Sequence, residues 1–268
     1  MRFDRELARA AAAQGATVLS STRLVGRKNN SWVIRHRARD LHVRARYVIA
    51  GDGPVSTVAS ILGLRRPETL RGVQVEVPLV RPQEKTFVFL SQKLVGGYGW
   101  LFPKGSVANV GLGVMALDDL NPAGLLEELL EGLRDLGLIR PGILARSGGL
   151  IPVSGIREGL VRGNVLFCGD AACLTHPITG AGIPQAVFSG IEAGRAAALA
   201  LKTDSPEPLS QYEDEVRGRY QGVMLHARSK RDLMMARWHD SEFAQTCRHT
   251  WIAFKEYRKR VRGERTVG

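Results

Sequence analysis

The chain has 268 residues, 44% of them hydrophobic, enough to bury one large core or two modest ones. Three cysteines are too few and scattered for a disulfide framework or a zinc site. The opening residues do not read as a signal peptide, and no run of about 18 uncharged apolar residues crosses a membrane, so a reducing, cytoplasmic setting is expected. The net charge of +12 sits at the two ends: residues 1–46 hold 11 Lys/Arg and 3 Asp/Glu, residues 217–262 hold 12 and 4, and residues 47–216 hold 14 and 18, which disfavours a nucleic-acid site in the core.

In chain order, residues 3–14 read as a helix with Phe3, Leu7 and Ala11 on one face, followed by strands at 17–19, 31–34 and 41–47. Tyr47-Val-Ile-Ala-Gly51-Asp52-Gly53 is an apolar strand running into a turn, and Ser56 opens a helix toward Leu62. Segments 73–77, 86–90 and 107–110 alternate like antiparallel strands. Tyr98, Trp100 and Phe102 would share one face of a strand that Pro103 ends, and a helix is expected from Pro122 to Leu136. Gly111-Leu-Gly113-Val-Met-Ala116 fits G-x-G-x-x-A, but the proline and acids after it favour an antiparallel strand in a close-packed place.

The densest chemistry lies in Val165-Leu-Phe-Cys-Gly-Asp170 and the following Pro177-Ile-Thr-Gly180-Ala181-Gly182-Ile183. A buried strand ends in Gly169-Asp170, which puts a carboxylate at the crevice of an open parallel sheet. Asp accepts hydrogen bonds from hydroxyls. The bare N–H groups at the start of a helix over 183–202 suit a negative charge. The competing reading is a strand–turn–helix with Asp170 as a helix cap. Cys173 reads as a small buried hydrophobe. Pro206 to Pro208 marks the start of a basic helical tail, whose Trp238, Phe243, Trp251, Phe254 and Tyr257 either pack on the body or meet an anionic membrane.

Taken together and in this order, Asp52-Gly53, the Tyr98-x-Trp100-x-Phe102-Pro103 strand and Gly169-Asp170 resemble the flavoprotein family of aromatic hydroxylases and geranylgeranyl reductases, the reductase branch most closely. The resemblance spans roughly residues 2–200 and implies an α/β (α+β) fold. It implies an FAD/NAD(P)-type Rossmann-like domain over 1–70 and 151–205, an inserted antiparallel-sheet substrate domain over 71–150 and a basic helical segment over 206–268. It further implies that FAD is held at Asp52, Gly53, Gly169, Asp170, Pro177, Gly180, Ala181, Gly182 and Ile183, and that Tyr98, Trp100, Phe102 and Pro103 meet an isoprenoid or prenylated lipid or quinone.

Two positions depart from the family pattern: Thr57-Val-Ala59 stands where an arginine is usual, and Cys173 where glycine or another small residue is usual. The family's opening G-x-G-x-x-G unit has no counterpart before residue 47. The expected activity is therefore FAD-dependent reduction of isoprenoid double bonds, with NAD(P)H or another reductant as electron donor. Its alternatives are a monooxygenase of the same superfamily, or a truncated or split-gene chain that needs a completing chain to retain FAD. Catalytic residues are not identifiable. His176 is a candidate proton donor, weighed against a structural role.

Overall fold

The structure, a computed structural model, describes residues 2–116 and 120–259. The helix read at the amino end is present as α1 (Arg2–Ala13), and its Phe3 and Leu7 are exposed. A small antiparallel meander follows, of β1 (Thr22–Lys28), β2 (Ser31–His36) and β3 (Arg39–Val43). Its two-residue turns, Asn29-Asn30 and Arg37-Ala38, take positive φ at both positions. Asn tolerates that region, and its twist suits a tight hairpin. The strand expected at 17–19 is not formed; pairing begins at Thr22, and the turn geometry rather than the apolar pair Val18-Leu19 sets the register.

β4 (Val48–Ala50) lies parallel to β11 (Val165–Phe167), with Val48, Ile49 and Ala50 opposite Val165, Leu166 and Phe167. On the far side of β11 runs the short antiparallel β10 (Val161–Arg162). β11 is buried throughout and reads as a continuous apolar run, as a strand covered on both faces should. Against it pack α2 (Thr57–Ile61), the small-residue stripe Ala193, Ala196 and Ala200 of α4 (Ile183–Thr203), and Leu209, Tyr212 and Val216 of α5 (Glu207–Ala236). The Tyr212 hydroxyl donates to the Phe167 carbonyl at 2.5 Å, satisfying the last acceptor of the strand just before the turn.

The second sheet is antiparallel in the order β6 (Phe87–Phe89), β7 (Tyr98–Lys104), β8 (Val107–Met115), β5 (Thr69–Pro78), β9 (Ala145–Pro152). One face is covered by α3 (Pro122–Asp135), whose Leu126, Leu130 and Leu133 meet Leu101, Val110 and Leu112. Asn121 caps α3 by accepting from Gly124 N–H, and Pro122 occupies its first turn. The Gly111-Leu-Gly113 run is antiparallel strand, as its sequence surroundings favoured. A Cβ at Gly111 would stand 2.6 Å from both the Trp100 ring and the Val73 carbonyl.

Alternation along β7 sends Leu101 to the α3 side and Tyr98 and Trp100 to the other. That other face is closed by Met234 at the end of α5 and Trp238 just beyond it, by Trp251 after α6 (Phe243–Thr250), and by Tyr257 in a 3-10 turn, Lys255–Arg258. The carboxyl-terminal aromatics therefore pack on the body of the protein. Because α5 supplies Leu209 and Tyr212 to one core and Met234 to another, it ties the parallel strands to the antiparallel sheet.

Candidate cofactor site

β4 and β11 end side by side, and the parallel register carries straight into the turns: Cys168 N–H donates to the Ala50 carbonyl at 3.0 Å. Gly51, Gly53, Cys168, Gly169, Asp170, Gly180, Gly182 and Ile183, with Ile151, Thr175 and Ala186, line a cleft of about 460 Å³. Geometry requires glycine at several of these positions, among them Gly169 and Gly182. Gly169 sits at φ +56°, where a side chain is strained. A Cβ on Gly182 would stand 2.5 Å from Thr175 Cγ2, at the point where α4 begins.

The two aspartates have different partners. Asp52 accepts from the Ser56 hydroxyl at 2.6 Å and from Val58 N–H at 3.1 Å, while Ser56 accepts from Ala59 N–H at 2.9 Å. Asp52 thus fastens the start of α2. The Asp170 carboxylate accepts no hydrogen bond and forms no ion pair among the described residues, and its Oδ1 lies 3.4 Å from where a Gly182 Cβ would be. The helix-cap reading of Asp170 does not hold, since α4 starts at Gly182 with no side-chain cap. Burial raises the Asp170 pKa above the ordinary carboxylate value, as expected of a desolvated group without donors. One turn into α4, Gln185 Oε1 is buried, also without a partner among the described residues.

The loop between the turn and α4 is pinned from three sides. His176 N–H donates to Ala181 O, and Gly180 N–H returns a bond to His176 O. His176 Nδ1 accepts from the N–H groups of Ile178 and Thr179, and Nε2 lies 3.3 Å from the Tyr257 hydroxyl. Burial pushes its pKa down to about 4, with His226 adding to the effect, so the ring is neutral and already engaged at both nitrogens. That assigns His176 to holding the loop rather than to proton transfer. From the sheet, the Tyr98 hydroxyl donates to Thr179 O at 2.7 Å. From α5, the fully buried Arg231 donates to Gly96 O at 2.7 Å, to Pro177 O at 3.4 Å and to Glu68.

Of the residues expected at the site, Gly53, Gly169, Asp170, Gly180, Gly182 and Ile183 come together in one cleft. Asp52 is turned into the α2 cap, Pro177 is buried beneath Arg231, and exposed Ala181 bonds back to His176. Tyr98 and Trp100 are buried, with Trp251 edge-on to Tyr98 at 4.6 Å; Phe102 and Pro103 are half-buried at the outer end of the strand. Sequence reading missed Ile151, Thr175 and Ala186 in the lining, and the buried amide oxygen of Gln185 close by. Ile151 comes from β9, far along the chain, and carries no local signal. Gln185 looks like an ordinary first-turn helix residue.

Residues 1–96 match the FAD binding domain family. The chain is 34% identical over 247 residues to the digeranylgeranylglycerophospholipid reductase of Methanocaldococcus jannaschii, spanning 86% of this chain and 63% of that protein. It is 33% identical over 226 residues to digeranylgeranylglycerophospholipid reductase 1 of Methanosphaera stadtmanae, spanning 80% and 56%. Among solved structures, a geranylgeranyl bacteriochlorophyll reductase-like protein from Thermoplasma acidophilum superposes with a TM-score of 0.74 at 25% identity, over 93% of this chain and 72% of that one. Over these spans the chain is similar to geranylgeranyl reductases, and its first 96 residues carry the FAD binding domain match.

A flavin-dependent halogenase shares the fold at a TM-score of 0.68 and 19% identity, over 91% of this chain and 48% of that one. The chain spans 56% and 63% of the length of the two curated reductases. The FAD binding domain match makes FAD the cofactor, and the cleft suits a flavin. It offers an unengaged carboxylate for hydroxyls, a glycine floor that lets a flat ring approach backbone, and the positive end of the 21-residue α4. Among the described residues no helix is long and apolar enough to cross a membrane.

Proposed function

We propose that this chain acts in the FAD-dependent reduction of isoprenoid double bonds in a prenylated lipid or quinone, with NAD(P)H or another reductant recharging the flavin. The observation that carries the reading is the unpartnered Asp170 carboxylate in the glycine-lined cleft beside the start of α4. When bound, FAD supplies the hydride. The chain's own residues bind and orient: Asp170 accepts hydroxyls, and the α4 N–H groups favour negative charge near Gly182. Tyr98 and Arg231 hold the loop between them, so its geometry depends on β7 and α5. Phe102 and Pro103, half-buried at the end of the aromatic strand, are where we place the first contact with an apolar chain. The adenosine half of FAD would lie beyond β4, which has no second strand partner among the described residues and leaves Ile49 exposed.

Two measurements test the reading. Added FAD should bind, seen as a perturbed visible spectrum, and Asp170→Ala should weaken it by tenfold or more, as expected on the order of 1.5 kcal/mol per hydrogen bond to a charged group. Anaerobic turnover of a geranylgeranyl glycerolipid with chemically reduced FAD should add two hydrogens per double bond. An oxygen-dependent hydroxylated product in place of a reduced one would overturn the reductase reading.

For membrane contact, α1 is the segment we favour, because Phe3 and Leu7 are exposed beside exposed Arg5 and Arg9 while the carboxyl-terminal aromatics are packed away. Flotation with anionic vesicles that persists in a Phe3→Ser, Leu7→Ser variant would remove that assignment.

A further inference from the structure

A second cleft, of about 440 Å³, shares no lining residue with the glycine-lined one, and five arginines line it against two glutamates. Their roles differ. Arg157 is buried and donates to the carbonyls of Ala171 at 2.7 Å and Arg65 at 3.1 Å, with its guanidinium 5.4 Å from the Phe167 ring centroid. It builds the floor and fixes the backbone that carries Arg65. Arg228 pairs with Glu68 at 2.9 Å and with Asp232 at 2.8 Å, which neutralises one of the two lining glutamates. Arg65, Arg66 and Arg162 are exposed and form no ion pair among the described residues. Glu158 is the one lining carboxylate left to oppose them. An adjoining hollow is lined by Arg65, Arg66 and Arg157 again, together with Arg23.

Guanidinium groups held around one concavity repel each other, and a multivalent oxyanion relieves the repulsion through forked N–H donation. The sequence hides this convergence. The arginines come from the link between α2 and β5, from the segment between β9 and β10, from β10 itself and from α5, and the chain's middle section is acidic overall.

We propose that this cleft is a binding site for a phosphate-bearing ligand, with Arg65, Arg66 and Arg162 as the contacting groups over the Arg157 floor. Two sources carry that chemistry, a nucleotide reductant and a phospholipid headgroup. The site is separate from the flavin cleft, so its test needs no flavin.

Inorganic pyrophosphate is titrated calorimetrically into the full chain. Binding is expected to weaken with salt and to fall at least about tenfold in the triple variant R65Q/R66Q/R162Q. It should persist in the charge-matched variant R27Q/R44Q/R81Q and in Asp170→Asn, with circular dichroism confirming the fold of each. Competition by NADPH assigns the nucleotide source, and competition by short-chain phosphatidic acid assigns the headgroup; either supports the site. No binding, equal loss in the charge-matched variant, no loss in the triple variant, or displacement by neither competitor overturns it.

Discussion

The chain carries Gly-Asp twice at the end of a parallel strand, and the two copies do opposite things. After β4, Asp52 is consumed within six residues by Ser56 and Val58 and closes a local cap. After β11, Asp170 keeps an open carboxylate, and the surrounding loop is fixed by distant residues: Tyr98 from the sheet, Arg231 from α5 and Tyr257 near the carboxyl end. A carboxylate that satisfies its neighbours is structural. One whose neighbours are satisfied by others is available to a ligand.

The largest effect expected from that contrast is at Arg231, the long-range clamp. Replacing it with Met removes a buried cation from Glu68 and strands the carbonyls of Gly96 and Pro177. Glu68 keeps Arg228, so the cost comes from the stranded carbonyls, about 1–3 kcal/mol for each. Urea denaturation of Arg231→Met should show a loss of that order, and a loss under 1 kcal/mol would mean the loop is held without it.

The pH dependence comes next. His176 has its pKa lowered to about 4 by burial, against about 6.5 when unfolded, so the unfolded chain binds more protons between those values. Its contribution is complete above pH 6.5 and is lost as pH falls toward 4, reaching at most about 3 kcal/mol. The folding free energy measured from pH 7 to pH 4 should fall accordingly. His176→Asn, which keeps an acceptor near the N–H groups of Ile178 and Thr179, should flatten that slope. If the slope survives, the dependence belongs to other groups.

Smaller again is Gly182→Ala. The added methyl meets Thr175 Cγ2 at 2.5 Å, and overpacking of this kind costs roughly 1–3 kcal/mol. Thermal denaturation should show the loss in Gly182→Ala and partial recovery when Thr175→Ser makes room. An additive double variant would place the strain elsewhere.

These effects also mark what could be read from the chain. The strand–Gly-Asp pairs, the Ala-rich α4 and the alternation of Tyr98 to Phe102 are local patterns, and the elements they describe formed where they were read, except that Pro103 does not end its strand: pairing continues through Pro103, opposite Ala108, to Lys104. The meander's register was not legible, because the turn at Arg37-Ala38 adopts a left-handed conformation that its residue types do not announce. Nor was the burial of Trp100, which depends on Trp251 and Met234 arriving from far along the chain. At Cys173, a position the resemblance marked as usually small, the structure supplies the reason: its φ is +58°, the region that favours glycine. The different uses of Asp52 and Asp170 were invisible too, since both follow Gly at a strand end and only the partners distinguish them.

The smallest expected effect on stability separates the two copies most clearly. Asp52→Asn loses much of a helix-start network, a change worth about 1 kcal/mol, and should lower the thermal midpoint. Asp170→Asn should do the reverse. A carboxyl whose folded pKa is raised above its unfolded value favours the folded state only below the unfolded pKa, and that contribution is lost as pH rises through the folded one. Once ionised, the unpartnered carboxylate is therefore a burden, and a neutral amide removes it. The same substitution takes away the acceptor that cofactor hydroxyls would use, so Asp170→Asn is expected to melt higher while binding FAD more weakly. A site that gains stability when its ligand-binding group is neutralised has that group for the ligand's sake. Should Asp170→Asn melt lower with unchanged flavin binding, the carboxylate would be structural after all, and the two Gly-Asp ends would be equivalent.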